Sequence, residues 1–200
     1  MDHKKAVEEA FADLAPRYEK VVDSELRLIW GWTYKEFVDQ LLEMTHIDEQ
    51  DTILDIATGT GVIPLRLSGL YPNGARFVGL DITPVMLQHA SRNILDHQQQ
   101  QKIRLVCASA MNIPLQSDCF NQITCGLATH HMNVPQLIAE MYRVLKPGGR
   151  ITIADVGAAP IWRFAPFKLF LHLVAFSYFL PKEGWARAWA ESKAISNMYT

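Results

Sequence analysis

The chain is poor in cysteine. It carries Cys107, Cys119 and Cys125, and no two of them stand at C-x-x-C spacing, so neither a zinc site nor a disulfide framework is expected. With no secretory leader at the N-terminus, they read as reduced, buried thiols of a cytoplasmic protein. No basic run is present either. The 19 Lys and Arg are set against 21 Asp and Glu, a net charge of −2, which argues against nucleic acid as a partner. No apolar run reaches the roughly 18 residues that a membrane span needs. The nearest approach, 161–180, is interrupted by Arg163, Pro166, Lys168 and His172. Internal repeats are absent, and the low-complexity tract Gln98–Gln101 reads as a polar surface loop.

What is present is a strand and helix alternation. Two hundred residues, 49% of them hydrophobic, suit one domain with a real core. Between residues 50 and 157, "TILDI", "ARFVGLD", "IRLVCA", "FNQITCGL" and "RITIADVG" read as five strands. Helices read from Val62 to Gly69, over "TPVMLQHASRNIL" and over "VPQLIAEMYRVL", the last stopped by "KPGG". Thr83 is the expected cap of the middle helix and Pro84 fits its first turn. Such alternation predicts right-handed βαβ units and a doubly wound, Rossmann-like parallel sheet. Two helices are expected before it, about Asp2–Leu14 and Ser24–Thr45, and two after it, over 161–181 and 183–200.

The first strand ends in a carboxylate. Asp55 precedes a loop with Ala57, Thr58, Gly59 and Gly61, a D-x-A-x-G-x-G pattern that lacks the third glycine of the G-x-G-x-x-G phosphate loop. A negative charge there disfavours phosphate and suits a cationic ligand, while glycines let backbone approach it closely. S-adenosylmethionine, with its ammonium and sulfonium, is such a ligand. The alternative is a tight turn in which Asp55 caps the helix. The second strand ends in Asp81, about twenty residues on, where a carboxylate can accept both ribose hydroxyls of an adenosine; the alternative is a helix cap.

These residues resemble the class I S-adenosylmethionine-dependent methyltransferases over nearly the whole chain. "LDIATGTG" and "GLDITPVML" look like the first two motifs, and "ASAMNIPLQSDCFNQIT" and "MYRVLKPGGRITIAD" like the next two. Within the class the chain is similar to the ubiquinone/menaquinone biosynthesis C-methyltransferases, which also carry Ala at the position of Ala57. "FADLAPRYEKVVDSELRLIWGWTYKEFVDQL" resembles their N-terminal helices and "AWAES" their "YLAES" segment. The resemblance implies a donor site made by Asp55, Ala57, Thr58, Gly59, Gly61, Asp81, Ile82, Ser109, Ala110, Met111, Gly126 and Tyr18, and no metal. Ser109 stands where relatives often have Asp or Asn toward the adenine. "GLATHHMN" stands where the quinone enzymes have a "GLRN"-like segment.

His130 and His131 follow the fourth strand, at the sheet edge where open α/β folds bind ligands. Either could take a proton from an acceptor, since imidazole titrates near neutrality; otherwise one caps the next helix and the other is exposed. Tyr18, Trp30, Trp32 and Tyr34 read as a lid or as helix packing. The family's sheet order is 3-2-1-4-5-7-6, but no strand pair is legible after Val156. The chain thus reads as a fragment or an abbreviated member with order 3-2-1-4-5. Its parts are N-terminal helices (1–48), a donor-binding core (50–157) and a helical acceptor or lid segment (158–200).

The open fifth strand needs a cover. Helices from 161–200, with Phe164, Phe167, Phe170, Phe176 and Phe179, are expected beside or above it. The 161–180 segment could cover that edge, form a homodimer contact, line an acceptor pocket or lie on a membrane surface. The function implied is methyl transfer from S-adenosylmethionine to a small, largely apolar acceptor such as a quinol or phenol, at carbon or oxygen. The alternatives are a donor-binding protein without catalysis and, disfavoured by Asp55, a nicotinamide-dependent oxidoreductase.

Overall fold

Five strands form one parallel sheet in the order β3-β2-β1-β4-β5, as the alternation predicts. The computed structural model describes residues 3–157 and 165–194, with side chains over 9–157 and 169–193. The strands are β1 (Thr52–Ile56), β2 (Arg76–Asp81), β3 (Ile103–Cys107), β4 (Phe120–Gly126) and β5 (Leu145–Ala154). Crossover helices α4 (Val62–Leu70), α5 (Pro84–Asp96) and α6 (Val134–Val144) join them. Central β1 is apolar on both faces because both are covered. Ile53 packs with Phe77, Leu41 and Leu67 on one side. Leu54 and Ile56 pack with Leu80, Leu137 and Met141 on the other. Removing so much aliphatic surface from water is the main force holding the layers together.

The N-terminal helices differ from expectation. In place of one helix over Ser24–Thr45 there are two, α2 (Tyr18–Trp30) and α3 (Tyr34–Met44), after α1 (His3–Leu14). Gly31 ends α2 at φ 73°, a left-handed cap that glycine adopts without strain. Thr33 starts α3 with a capping box: its hydroxyl accepts from Glu36 N at 3.0 Å and its own N–H donates to Glu36 at 2.8 Å. Thr83 sits at the start of α5 but makes no side-chain cap. "KPGG" does not lie outside the fifth strand: β5 begins at Leu145 and shifts register between its pairings to Phe120 and Gln122. Cys107 is exposed rather than buried, because β3 is an edge strand; Cys125, in β4, is buried.

The C-terminal helix α7 (Ala165–Ala194) is two helices joined across Gly184, whose backbone is non-helical. It does not lie along β5, as the open edge suggested. It runs against α1 and the turn at Thr129–His131, while β5 takes α3 and α6. The physical reason is charge as well as apolar surface. Arg17 of the N-terminal segment pairs with Glu183 at 2.6 Å, and Arg187 with Glu25 at 3.1 Å. Of the five phenylalanines expected to be buried, Phe179 is. Phe176 is half-buried with Trp185 edge-on at 5.1 Å, and Phe170 is 57% exposed. Phe164 and the Phe167 side chain lie outside the described residues. Among the described residues no helix is long and apolar enough to cross a membrane.

Candidate active site

Parallel strands aim their carboxyl ends at one edge of the sheet, and three here carry an aspartate at that end or one residue from it. Asp55 is the last residue but one of β1, in register with Gly79 and Thr124. It is 1% exposed. Oδ1 accepts from the Thr124 hydroxyl at 2.8 Å, and Oδ2 is buried with no hydrogen-bond partner among the described residues. Burial pushes its carboxyl up to about 7 against the Thr58 and Thr124 hydroxyls beside it, with nearby Asp81 adding repulsion. A buried carboxylate oxygen with an unshared lone pair is suited to an ammonium group.

The loop after β1 is anchored across the sheet, where the Thr58 amide donates to Leu80 O at 3.0 Å. Ala57, Gly59 and Gly61 are all left-handed, at φ 56°, 54° and 82°. Beneath the loop, Gly79 allows close approach: a Cβ there would stand 2.8 Å from Thr58 Oγ1. Asp81 is 8% exposed and binds the loop directly, with Oδ2 accepting from Gly59 N and Oδ1 from Thr83 N, each at 2.9 Å. Burial raises its pKa against these bonds. Asp81 therefore holds the start of α5, and each oxygen keeps a second lone pair.

Two cavities open at this edge. The smaller, about 210 Å³, brings together Ala57, Asp81, Ile82, Ser109, Ala110 and Met111. Ser109 Oγ accepts from Met111 N at 3.2 Å, which shapes that wall. The larger, about 370 Å³, is lined mostly by apolar side chains of α2 and α7, and it includes Tyr18 and Trp30. His131 lines both. Asp55, Thr58, Gly59, Gly61 and Gly126 line neither. A Cβ on Gly59 would stand 3.8 Å from the Tyr18 ring, so that ring lies over the loop; Gly126 packs on α3 and α4. Tyr34 meets Tyr18 edge-on at 6.2 Å, and Trp32 is 45% exposed.

Neither histidine caps α6; Asn133 does, accepting from Gln136 N. His130, 7% exposed, sets Nδ1 2.7 Å from Asp155 Oδ1. Asp155 also accepts from the Thr129 hydroxyl, from His130 N at 3.1 Å and from Val156 N at 2.7 Å. Burial alone would raise the Asp155 carboxyl, but the His130 bond and charge, with the other donors, hold it below the usual range. His131 lies beside His130, ring centres 4.2 Å apart, with Nε2 4.0 Å from Glu191. Glu191 in turn meets Arg187 Nε at 2.9 Å. Burial pushes the Glu25 carboxyl up to about 7, although Arg187 opposes the shift.

Asp155, Glu25, Arg187 and Glu191 were not among the residues expected here. Asp155 carried a signal, since it stands at the end of its strand as Asp55 and Asp81 do at theirs. Arg187 and Glu191 stand one helical turn apart, and Glu191 lies in the "AWAES" segment, whose likeness to "YLAES" assigns it no role.

A family model described as "Methyltransferase domain" matches residues 53–149. A demethylmenaquinone methyltransferase of Symbiobacterium thermophilum is 31% identical, over 97% of this chain and 74% of its own length. A ubiquinone/menaquinone biosynthesis C-methyltransferase of Geotalea daltonii is 29% identical, over 87% of this chain and 70% of its own. The geranyl diphosphate C-methyltransferase of Streptomyces coelicolor A3(2), in a complex with S-adenosyl-L-homocysteine, shares the fold at TM-score 0.57 and 19% identity, over 68% of this chain and 49% of that one. With its sheet order, its acidic strand ends and these relatives, the chain belongs to the class I S-adenosylmethionine-dependent methyltransferases, in the ubiquinone/menaquinone biosynthesis C-methyltransferase family.

Proposed function

We propose that this methyltransferase acts on an uncharged, oxygen-bearing aromatic ring of the quinol or phenol type, bound in the larger cavity. The observation that carries the reading is the apolar cavity of about 370 Å³ with His130 in its wall, held from behind by Asp155, meeting the smaller cavity at His131. The relatives named for demethylmenaquinone point the same way.

S-adenosylmethionine, when bound, supplies an electrophilic methyl group on a sulfonium leaving group. In this proposal Asp55 holds its ammonium, Asp81 its ribose hydroxyls, and the cavity with Ala57, Ile82, Ser109, Ala110 and Met111 its adenine. Tyr18, over the glycine loop and in the lining of the larger cavity, excludes water from that side of the loop. His130 takes the acceptor's proton at Nε2, because Asp155 fixes Nδ1 as the donor nitrogen and stabilises the imidazolium that forms. The deprotonated ring then carries the electron pair for the bond to the methyl carbon, with S-adenosylhomocysteine as the leaving group. For methylation at carbon, the ring hydrogen at that position is lost as a proton, which restores the aromatic ring. The apolar walls favour a neutral ring and discriminate against charged ones. Residues 1–200 act as a single domain in this reading, with 158–200 forming the acceptor side.

Two outcomes check these assignments. Asp55 has a pKa near 7 in the ligand-free protein, so below that pH it must lose a proton before it can pair with an ammonium. Affinity for S-adenosylhomocysteine should therefore rise with pH, by up to about tenfold per unit below 7, and then level off. Asp55→Asn should flatten this profile in calorimetric titrations between pH 5.5 and 8. On the acceptor side, 1-naphthol titrated into protein saturated with S-adenosylhomocysteine should bind, and 1-naphthyl phosphate should not. Binding of the phosphate alone would contradict the apolar acceptor.

A further inference from the structure

Arg187 is an unusual lining for an apolar cavity. It is 4% exposed. Nη2 donates to Glu25 at 3.1 Å and Nε lies 2.9 Å from Glu191. Phe11 and Phe179 flank the guanidinium, 5.4 and 5.5 Å from Cζ to the ring centres. Both rings line the same cavity. They cushion the charge but give Nη1 no oxygen. Among the described residues Nη1 is buried without a hydrogen-bond partner, and Nε, though close to Glu191, is not aligned for a hydrogen bond with it. A dry guanidinium N–H without an acceptor is costly, and a ligand oxygen would remove that cost.

The surroundings say what kind of oxygen. Glu191 already balances the guanidinium and Glu25 sets a second carboxyl against it, so a further anion would meet both. A neutral carbonyl, ether or hydroxyl oxygen would not. The place of Arg187 says where that oxygen lies. His130, His131, Glu191, Arg187 and Glu25 form one continuous polar strip on the wall, with Asp155 behind His130. His130 and Arg187 are separated on it by His131 and Glu191, which matches oxygens at opposite ends of a ring rather than on adjacent carbons.

We infer that Arg187 is a specificity-determining residue that selects acceptors carrying a second, uncharged oxygen remote from the one that His130 deprotonates. The inference rests on the larger cavity being the acceptor site. In it, Arg187 anchors the far end of the ring through Nη1 and so fixes which ring atom faces the methyl group. Glu25 and Glu191 hold the guanidinium in place.

The test is calorimetric titration of protein saturated with S-adenosylhomocysteine, using 4-methoxy-1-naphthol and 4-ethyl-1-naphthol. The two probes are nearly the same shape, and one of them lacks the ether oxygen. The wild type should bind the methoxy probe about tenfold or more tightly. Arg187→Met should remove that preference while S-adenosylhomocysteine still binds, and Arg187→Lys should restore part of it. Because Arg187→Met strands two buried carboxylates, the same measurement on Arg187→Met combined with Glu25→Gln guards against misfolding. Equal affinity of the wild type for both probes would overturn the inference. So would a preference that survives Arg187→Met, since a merely structural arginine would weaken both probes together and leave their ratio intact. Failure of both probes to bind would instead overturn the acceptor cavity itself, and this inference with it.

Discussion

Replacing His130 with alanine should slow the methyl-transfer step by about 100-fold or more, the usual scale for removing a general base. Affinity for S-adenosylhomocysteine should stay the same, because His130 lines the larger cavity and not the smaller one. Asp155→Asn should act in the same direction. Asp155 accepts four hydrogen bonds, one of them from the ring it orients, and an amide can neither stabilise the imidazolium nor accept as many. Rapid-quench measurement of the chemical step separates this from product release. An unchanged rate in His130→Ala would leave the transfer to positioning alone, which the sulfonium leaving group permits.

The second large effect belongs to Asp81. Its removal breaks two bonds at once inside the site, those from Gly59 N and Thr83 N, as well as any accepted from ribose hydroxyls. Asp81→Ala should weaken S-adenosylhomocysteine by roughly 1–3 kcal/mol, the cost of losing hydrogen bonds to a charged group. Part of that loss would come from the loop, which Asp81 ties to the end of β2. Asp81→Asn separates the two contributions, because its carbonyl oxygen can keep one backbone bond while the charge is gone. Affinity unaffected in Asp81→Ala, with the fold intact by circular dichroism, would remove Asp81 from the donor site.

The sheet was legible because its signals are local. Each buried strand is a short apolar run, and Pro84 and "KPGG" punctuate the chain near the elements they bound. The donor side was legible for the same reason: Asp55, the glycine loop and Asp81 lie within 27 residues of sequence, and the strands they end are neighbours. The break between α2 and α3 was equally local but was missed. Gly31 and the Thr33–Glu36 capping box were both in the sequence, overridden by an apolar periodicity that runs through them.

The acceptor side was not legible, because it is assembled from distant pieces. Arg187 meets Glu25 across 162 positions, and His130 meets Asp155 across 25. Nothing in either local segment announces its partner. The docking of α7 on α1 instead of β5 has the same origin. The open edge of β5 argued for a cover there, whereas the long-range pairs Arg17–Glu183 and Arg187–Glu25 draw α7 toward the N-terminal helices.

The most direct measurement is a single-turnover experiment with S-adenosylmethionine labelled in its methyl group, the enzyme in excess, and 1,4-dihydroxynaphthalene as acceptor under anaerobic conditions. The account predicts that the label appears on the ring in step with formation of S-adenosylhomocysteine, and that His130→Ala slows both to the same extent. A protein that binds S-adenosylmethionine yet leaves all the label on it, in the presence of bound acceptor, would contradict the account.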